Sequence, residues 1–340
     1  MRARRLAVAI VMLVLQAGAS AQEAAPIAPV PPLPLPPFDV WLADLRTEAA
    51  GRGIRPEILE RALTGLQPVT QILERDRTQA EFVLDLDGYL RRRLTAPTVR
   101  TARQMYTKHR TLAQRIGTQY GVDPRLLISV WGLESNFGRF AGVRPTVPTL
   151  ATLAYDQRRG AMFRSELFDA LEILNRGDIE LEQLRGSWAG ALGQPQFMPS
   201  SYLKYAQDFD GDGRRDIWKT QGDVFASIAY YLQQRGWKKG MTWGREVRLP
   251  VSRREIDAIP LRAEGCRARR GMTQAQPLDV WRKLGVLTVT QGPLPRVDIS
   301  ASLVRDDKRA FLVYDNYEAL LDYNCAHTYA LSVGLLADRL

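Results

Sequence analysis

Residues 123–138 read DPRLLISVWGLESNFG, and this stretch decides how the chain is built. Asp123 followed by Pro124 is an N-cap with proline in the first helical turn. Leu126, Leu127, Val130 and Leu133 then fall on one side of a helix, with Gly138 as its stop signal. Glu134 comes four residues after Val130 and seven after Leu127, so it shares that apolar side, one turn beyond the stripe. Apolar surroundings penalise an ionised carboxylate. They would keep Glu134 protonated near neutrality and fit it to be a general acid. The alternative is a glutamate at a fraying helix end, facing water.

Working outward, the chain is helical on both sides of this segment. Pro56 opens a helix with Ile58, Leu59, Ala62, Leu63 and Leu66 at helical spacing, and Pro97 marks a break. Ala102, Met105, His109, Leu112, Ile116 and Tyr120 form a stripe ended by Gly121. His109 reads there as a core or boundary residue. Further helices are expected at Met162–Asn175 and Asp223–Arg235. After Gly236, alternation of Val247, Leu249 and Val251, of Leu287 and Val289, and the apolar run Phe311–Tyr314 predict short strands, with a helix near Leu278–Lys283. The segment Ala326–Arg339 is helical again. The fold class is therefore α+β and mainly helical. The divisions are an N-terminal α domain at 38–105, a core at 106–238, an inserted β-rich domain at 239–315, and a segment at 316–340 that returns to the core.

The first residues read as an address. Arg2, Arg4 and Arg5 precede the apolar run Leu6–Leu15, and Ala19-Ser20-Ala21 is a small-x-small cleavage signal. This is a secretory signal peptide over 1–21, too short for a membrane span of ~20 apolar residues. No cysteine follows the run for lipid attachment. The expected protein is exported, soluble, periplasmic and monomeric. Residues 22–37 are proline-rich and read as a semi-rigid linker, or as a docking segment for other cell-wall enzymes. The net charge is +10, from 47 Lys+Arg against 37 Asp+Glu. Without the leader, 44 basic residues remain against 37 acidic. A basic surface favours anionic partners, and export argues against nucleic acid. Two histidines and two cysteines exclude an H-E-x-x-H zinc site and a multi-disulfide scaffold.

About fifty residues after Glu134 comes GSWAGALGQPQFMPSSY, Gly186–Tyr202. Its small residues permit close backbone approach to a ligand. Trp188, Phe197 and Tyr202 offer flat faces, and Ser187 and Gln196 offer hydrogen bonds, as sugar sites require. A tight packing segment is the alternative.

With VWGLESNFG (130–138), LATLAYDQRR (150–159), DFDGDGRRDIW (208–218), SIAYYLQQRGW (227–237) and YNCAHTY (323–329) in the same order, the chain resembles the lytic murein transglycosylases of the membrane-bound lytic transglycosylase B type. The resemblance covers nearly all of residues 38–340. It implies a lysozyme-like catalytic core and cleavage of the MurNAc–GlcNAc bond of peptidoglycan, with a 1,6-anhydroMurNAc product. It places Glu134 on the family's single acid/base. Ser187, Gln196, Tyr231, Tyr323, Asn324 and Tyr329 fall on positions lining the saccharide groove, which Phe197 is expected to join, and Arg158 and Arg159 match a basic pair near it. One carboxylate suffices if Glu134 protonates the leaving oxygen and then takes the C6 hydroxyl proton, while the substrate's N-acetyl group stabilises C1. Ordinary glycosidases use two acids. A hydrolytic muramidase and a non-catalytic wall-binding scaffold are the competing readings. No catalytic cofactor is expected.

Asp208, Asp210, Asp212, Gly213, Arg214 and Asp216 occupy positions one, three, five, six, seven and nine of an EF-hand loop. Position twelve is Lys219, and Asp223 is the nearest later acid. A structural Ca2+ is expected, against an acidic turn without metal. Cys266 and Cys325 are expected to pair in an oxidising compartment, against two separate buried thiols.

Overall fold

The computed structural model describes residues 35–78 and 85–340. The leader expected at 1–21 and most of the linker at 22–37 lie outside them. Residues 37–340 form one compact unit.

The helix Pro124–Ser135 is the centre of it. Asp123 accepts the N–H of Arg125 at its start, and Asn136 closes its end in the left-handed region. Every residue from Leu126 to Leu133 is buried, including Ser129 and Gly132. This is a helix enclosed on all sides rather than a surface helix with one apolar stripe. Around it pack the helices Ala96–Tyr120, Gln221–Gln234 and His327–Ala337. The first of these is continuous for 25 residues. Pro97 does not break it: the proline sits in the first turn after the N-cap Thr95, where a missing N–H costs nothing. The helix therefore runs unbroken through residue 105. The helices Phe38–Gly51, Pro56–Leu63, Thr146–Tyr155 and Gly160–Arg176 extend the same apolar core.

Two short strands, β1 (Arg144–Pro145) and β2 (Arg185–Gly186), pair antiparallel. The remaining strands are β3 (Gly244–Arg248), β4 (Gln276–Pro277), β5 (Leu287–Thr288), β6 (Ser300–Arg305) and β7 (Ala310–Val313). They form an antiparallel sheet in the order β4-β6-β7-β3-β5. In β6 and β7, Leu303 faces Leu312 and Val304 faces Phe311. Leu303 and Leu312 join a small core with Trp281 and Leu278, whereas Val304 and Phe311 join the main core. Both faces are covered, so these strands read as apolar runs without alternation. The strand expected through Val251 ends at Arg248, and Val251 is fully exposed. The architecture is α+β and mainly helical. No helix among the described residues is long and apolar enough to cross a membrane.

Cys266 and Cys325 are joined in a disulfide with 6.5 Å between their Cα atoms. The bond ties the turn before helix Arg267–Arg270 to the segment between helices Asp315–Tyr323 and His327–Ala337.

Candidate active site

Glu134 occupies the last turn of the central helix. Directly after it, Asn136, Phe137 and Gly138 take φ of 49°, 58° and 79°. Three successive left-handed residues turn the chain sharply away and keep the helix from extending past the carboxyl. Ser135 holds the turn by donating to the Trp131 carbonyl (3.0 Å) and accepting the Gly138 N–H (3.0 Å).

The Glu134 side chain is partly exposed, but packed protein surrounds its carboxyl on the inner side. Burial pushes the carboxyl up to about 7, while the Tyr329 hydroxyl and the Arg93 cation pull the other way. Glu134 can thus hold a proton near neutrality and release it at modest cost. Among the described residues, the polar groups acting on it are a tyrosine and an arginine rather than a second acid.

Tyr323 and Tyr329 flank the carboxyl, and burial together with its charge raises both phenols well above the ordinary tyrosine value. Their rings stack at 6.1 Å and 17°. The buried Tyr329 hydroxyl makes no hydrogen bond of normal geometry to a described residue, although it stands close enough to Glu134 for each to shift the other. Tyr323 donates to the Pro195 carbonyl (2.7 Å), and Tyr231 to the Asp322 carbonyl (2.6 Å). Tyr231 lies 4.7 Å from Tyr323, ring to ring. These bonds tie the C-terminal segment to the glycine-rich loop and to helix Gln221–Gln234.

The loop 186–202 is built by its backbone. Gly142 and Gly186 approach so closely that a Cβ on Gly142 would lie 2.5 Å from the Gly186 Cα. Ser187 Oγ accepts the N–H groups of Ala189 (3.3 Å) and Ala191 (3.1 Å), so it shapes this turn. Gln196 adopts φ of 55° and donates to the Gly193 carbonyl (2.8 Å). Such a conformation in a residue other than glycine costs energy and is typical of functional loops.

Several expected residues differ in their placement. Phe197, expected to offer an open face, is only 2% exposed and packs against Tyr231 (5.6 Å) and Tyr323 (5.8 Å). Tyr202 is fully buried too, and its hydroxyl donates to the Arg215 carbonyl. The Phe197 ring thus supports the tyrosines instead of facing solvent, and the Tyr202 ring packs against Trp218 at 5.6 Å. Asn324 is exposed beside Tyr323. Arg158 and Arg159 are exposed; the first pairs with Asp156 and the second lies over the Phe163 ring at 4.8 Å.

Two further groups near the site are not singled out by the reading of the sequence, although Gln194 lies within the 186–202 motif. Gln194 links Trp131 to the Trp218 carbonyl. Arg93, from the distant helix Leu86–Arg93, donates to the carbonyl of Leu133 (2.6 Å). His109 stands edge-on to Trp131 and Phe225, and burial lowers its pKa.

In the acidic loop, one oxygen each of Asp208, Asp210 and Asp212 lies within 4.8 Å of the others. Backbone N–H groups of Gly211 and Gly213 orient Asp208, and those of Asp212 and Arg214 orient Asp210 and Asp212. An all-carboxylate set of this kind suits a hard cation such as Ca2+. Asp216 and Asp223 stand outside that cluster. Asp216 accepts the N–H groups of Trp218 and Lys219, and buried Asp223 accepts those of Phe209 and Asp216. Asp223 therefore staples the loop, its carboxyl raised to about 6 by burial.

The family model described as Transglycosylase SLT domain matches residues 37–338. Membrane-bound lytic murein transglycosylase B of Escherichia coli strain K12 is 29% identical over 256 residues, 74% of this chain and 66% of that protein. The chain thus spans just under two thirds of that relative's length. The structure of SltB3 from Pseudomonas aeruginosa in complex with NAG-anhNAM-pentapeptide is 39% identical over 88% of this chain and 78% of that one, with a TM-score of 0.81. The Escherichia coli lytic transglycosylase SLT35 in complex with calcium is 25% identical over 88% of this chain and 91% of that one, with a TM-score of 0.73.

Proposed function

Since the chain belongs to the Transglycosylase SLT domain family, we propose that it is a lytic transglycosylase of peptidoglycan with Glu134 as its single acid and base. The observation that carries this reading is the Glu134 carboxyl: raised to about 7 by burial and set against Tyr323 and Tyr329. The relative complexed with NAG-anhNAM-pentapeptide supports the substrate class.

In the first half-reaction, protonated Glu134 gives its proton to the glycosidic oxygen leaving C1 of MurNAc, and the C1–O bond breaks. The N-acetyl oxygen of the same sugar stabilises C1. In the second half, the Glu134 carboxylate removes the C6 hydroxyl proton while O6 bonds to C1, giving the 1,6-anhydro ring. Glu134 is protonated again, so proton and electron pair balance without water. A carboxyl near 7 suits both halves, because neither protonation state is far from neutral pH. Ser187, Gln196, Tyr231, Tyr323, Asn324 and Tyr329 shape and line the binding groove in this reading. Phe197 backs the tyrosines, and Arg158 and Arg159 add positive charge.

Asp208, Asp210 and Asp212 would hold a structural Ca2+, which would offset two of their three negative charges when bound. The leader-like residues 1–21 support export to the periplasm. Mass analysis of muropeptides released from purified sacculi tests the reaction: 1,6-anhydro ends support it, whereas reducing MurNAc ends would establish a hydrolytic muramidase.

A further inference from the structure

Arg93 ends the helix Leu86–Arg93, which packs against His327–Ala337. That helix is anchored at its start. Asp85 accepts the Gly88 N–H (2.8 Å), and Lys308, between β6 and β7, lies 3.8 Å from Asp85 and 3.6 Å from Asp87. From this mount Arg93 Nη2 donates to the Leu133 carbonyl at 2.6 Å. Leu133 is within the last turn of the central helix, where carbonyls have no partner inside the helix. A cation is also favoured there by the helix dipole. Arg93 Nε is buried without a hydrogen-bond partner among the described residues. Burying part of a guanidinium to satisfy one carbonyl is costly, and the residue after that carbonyl is Glu134.

We propose that Arg93 is a positioning residue for the reaction: it caps, from another helix, the end that carries Glu134, and sets a fixed cation where the carboxylate formed by the first proton transfer gains from it. The proposal rests on Glu134 as acid and base. The groups facing Glu134 are Arg93, Tyr323 and Tyr329, with Tyr231 behind the tyrosines. The three phenols are raised by burial and stay neutral near pH 7. The charged member of the set is Arg93, and it opposes the effect of burial on Glu134.

The test is the pH profile of muropeptide release from purified sacculi by the full protein, Arg93→Lys and Arg93→Gln. The free enzyme must start with Glu134 protonated, so activity falls as pH rises through the Glu134 pKa. Loss of the cation should move this alkaline limb of Arg93→Gln upward by up to about one unit. It should also slow the reaction at the optimum by roughly tenfold per unit, because the carboxylate is less stable. Arg93→Lys keeps the charge, and its limb should stay at the wild-type pH. An unmoved limb in folded Arg93→Gln overturns the proposal, as does an equal shift in Arg93→Lys. If Arg93→Gln does not fold, Arg93→Met takes its place as the uncharged variant, with the same upward shift expected and an unmoved limb again overturning the proposal. A parallel Glu134→Gln variant separates the two claims. Turnover by it would sink the reading of Glu134, whereas an inactive Glu134→Gln with an unmoved Arg93→Gln limb would sink only the role of Arg93.

Discussion

Trp131 Nε1 donates a 2.6 Å hydrogen bond to Gln194 Oε1, and through it the helix carrying Glu134 is fastened to the glycine-rich loop. Gln194 is 7% exposed, and its amide nitrogen donates in turn to the Trp218 carbonyl (2.7 Å). Gly138 leaves the space: a Cβ there would sit 2.7 Å from Gln194 Oε1. The end of the helix that carries Glu134, the turn after it and the loop are thus joined by one buried amide.

Gln194→Leu keeps the volume but leaves the Trp131 N–H and the Trp218 carbonyl without partners. Unpaired buried groups cost about 1–3 kcal/mol each. Denaturant unfolding should show a loss in that range, and activity should fall further than stability alone accounts for. Wild-type stability in this variant would show that the link is not needed.

The position of Glu134 predicts a pH-dependent stability cost. Its folded value, about 7, lies above the ordinary 4.5. Below about pH 4.5 the carboxyl is protonated in both states and nothing is lost. As pH rises towards 7 the unfolded chain ionises first, so the cost grows, and it is complete above about 7. Glu134→Gln should therefore be more stable than wild type by on the order of 3 kcal/mol at pH 8, with the gap closing near pH 4. A gap independent of pH would contradict a buried, protonated carboxyl.

Much of this site is legible in residues 123–138. The Asp-Pro start, the apolar spacing and Glu134 on that side all survive in the structure. What the spacing does not reveal is enclosure on every side, because Ser129, Gly132 and Ser135 look like a polar face yet are buried. Arg93 is invisible for another reason. It closes a run of three arginines, and its partner Leu133 lies 40 residues away. Nothing local marks which arginine turns inward. Phe197 and Asp223 show that a residue type names a chemistry but not a direction. The ring is buried under the tyrosines, and the carboxylate holds backbone N–H groups away from the Asp208–Asp212 cluster. β6 and β7 lack alternation because both faces are covered.

Calcium should raise the melting temperature of EDTA-stripped protein, since an ion that binds only the folded state stabilises it by about 2.7 kcal/mol at a hundred times its Kd. Asp210→Ala and Asp212→Ala should blunt the response. Asp216→Asn should leave most of it, because its carboxyl stands outside the cluster. No shift at millimolar calcium would leave the acidic loop as a hydrogen-bonded turn.

The Cys266–Cys325 bond closes a loop of 59 positions. The chain-entropy model gives about 4 kcal/mol for such a loop. Replacing both cysteines by serine should lower the melting temperature and weaken glycan binding, since Cys325 directly follows Asn324. Unchanged glycan affinity in a folded double variant would separate the bond from the site.

The central claim is that one carboxyl serves as acid and then base. Its most direct measurement is muropeptide release from purified sacculi by Glu134→Gln beside wild type, with glycan binding measured on the same preparations. The amide keeps the shape of the side chain but cannot donate and recover a proton. Retained binding, almost no release, and 1,6-anhydro ends from wild type alone are the expected results. Release by Glu134→Gln at a near wild-type rate would contradict that claim.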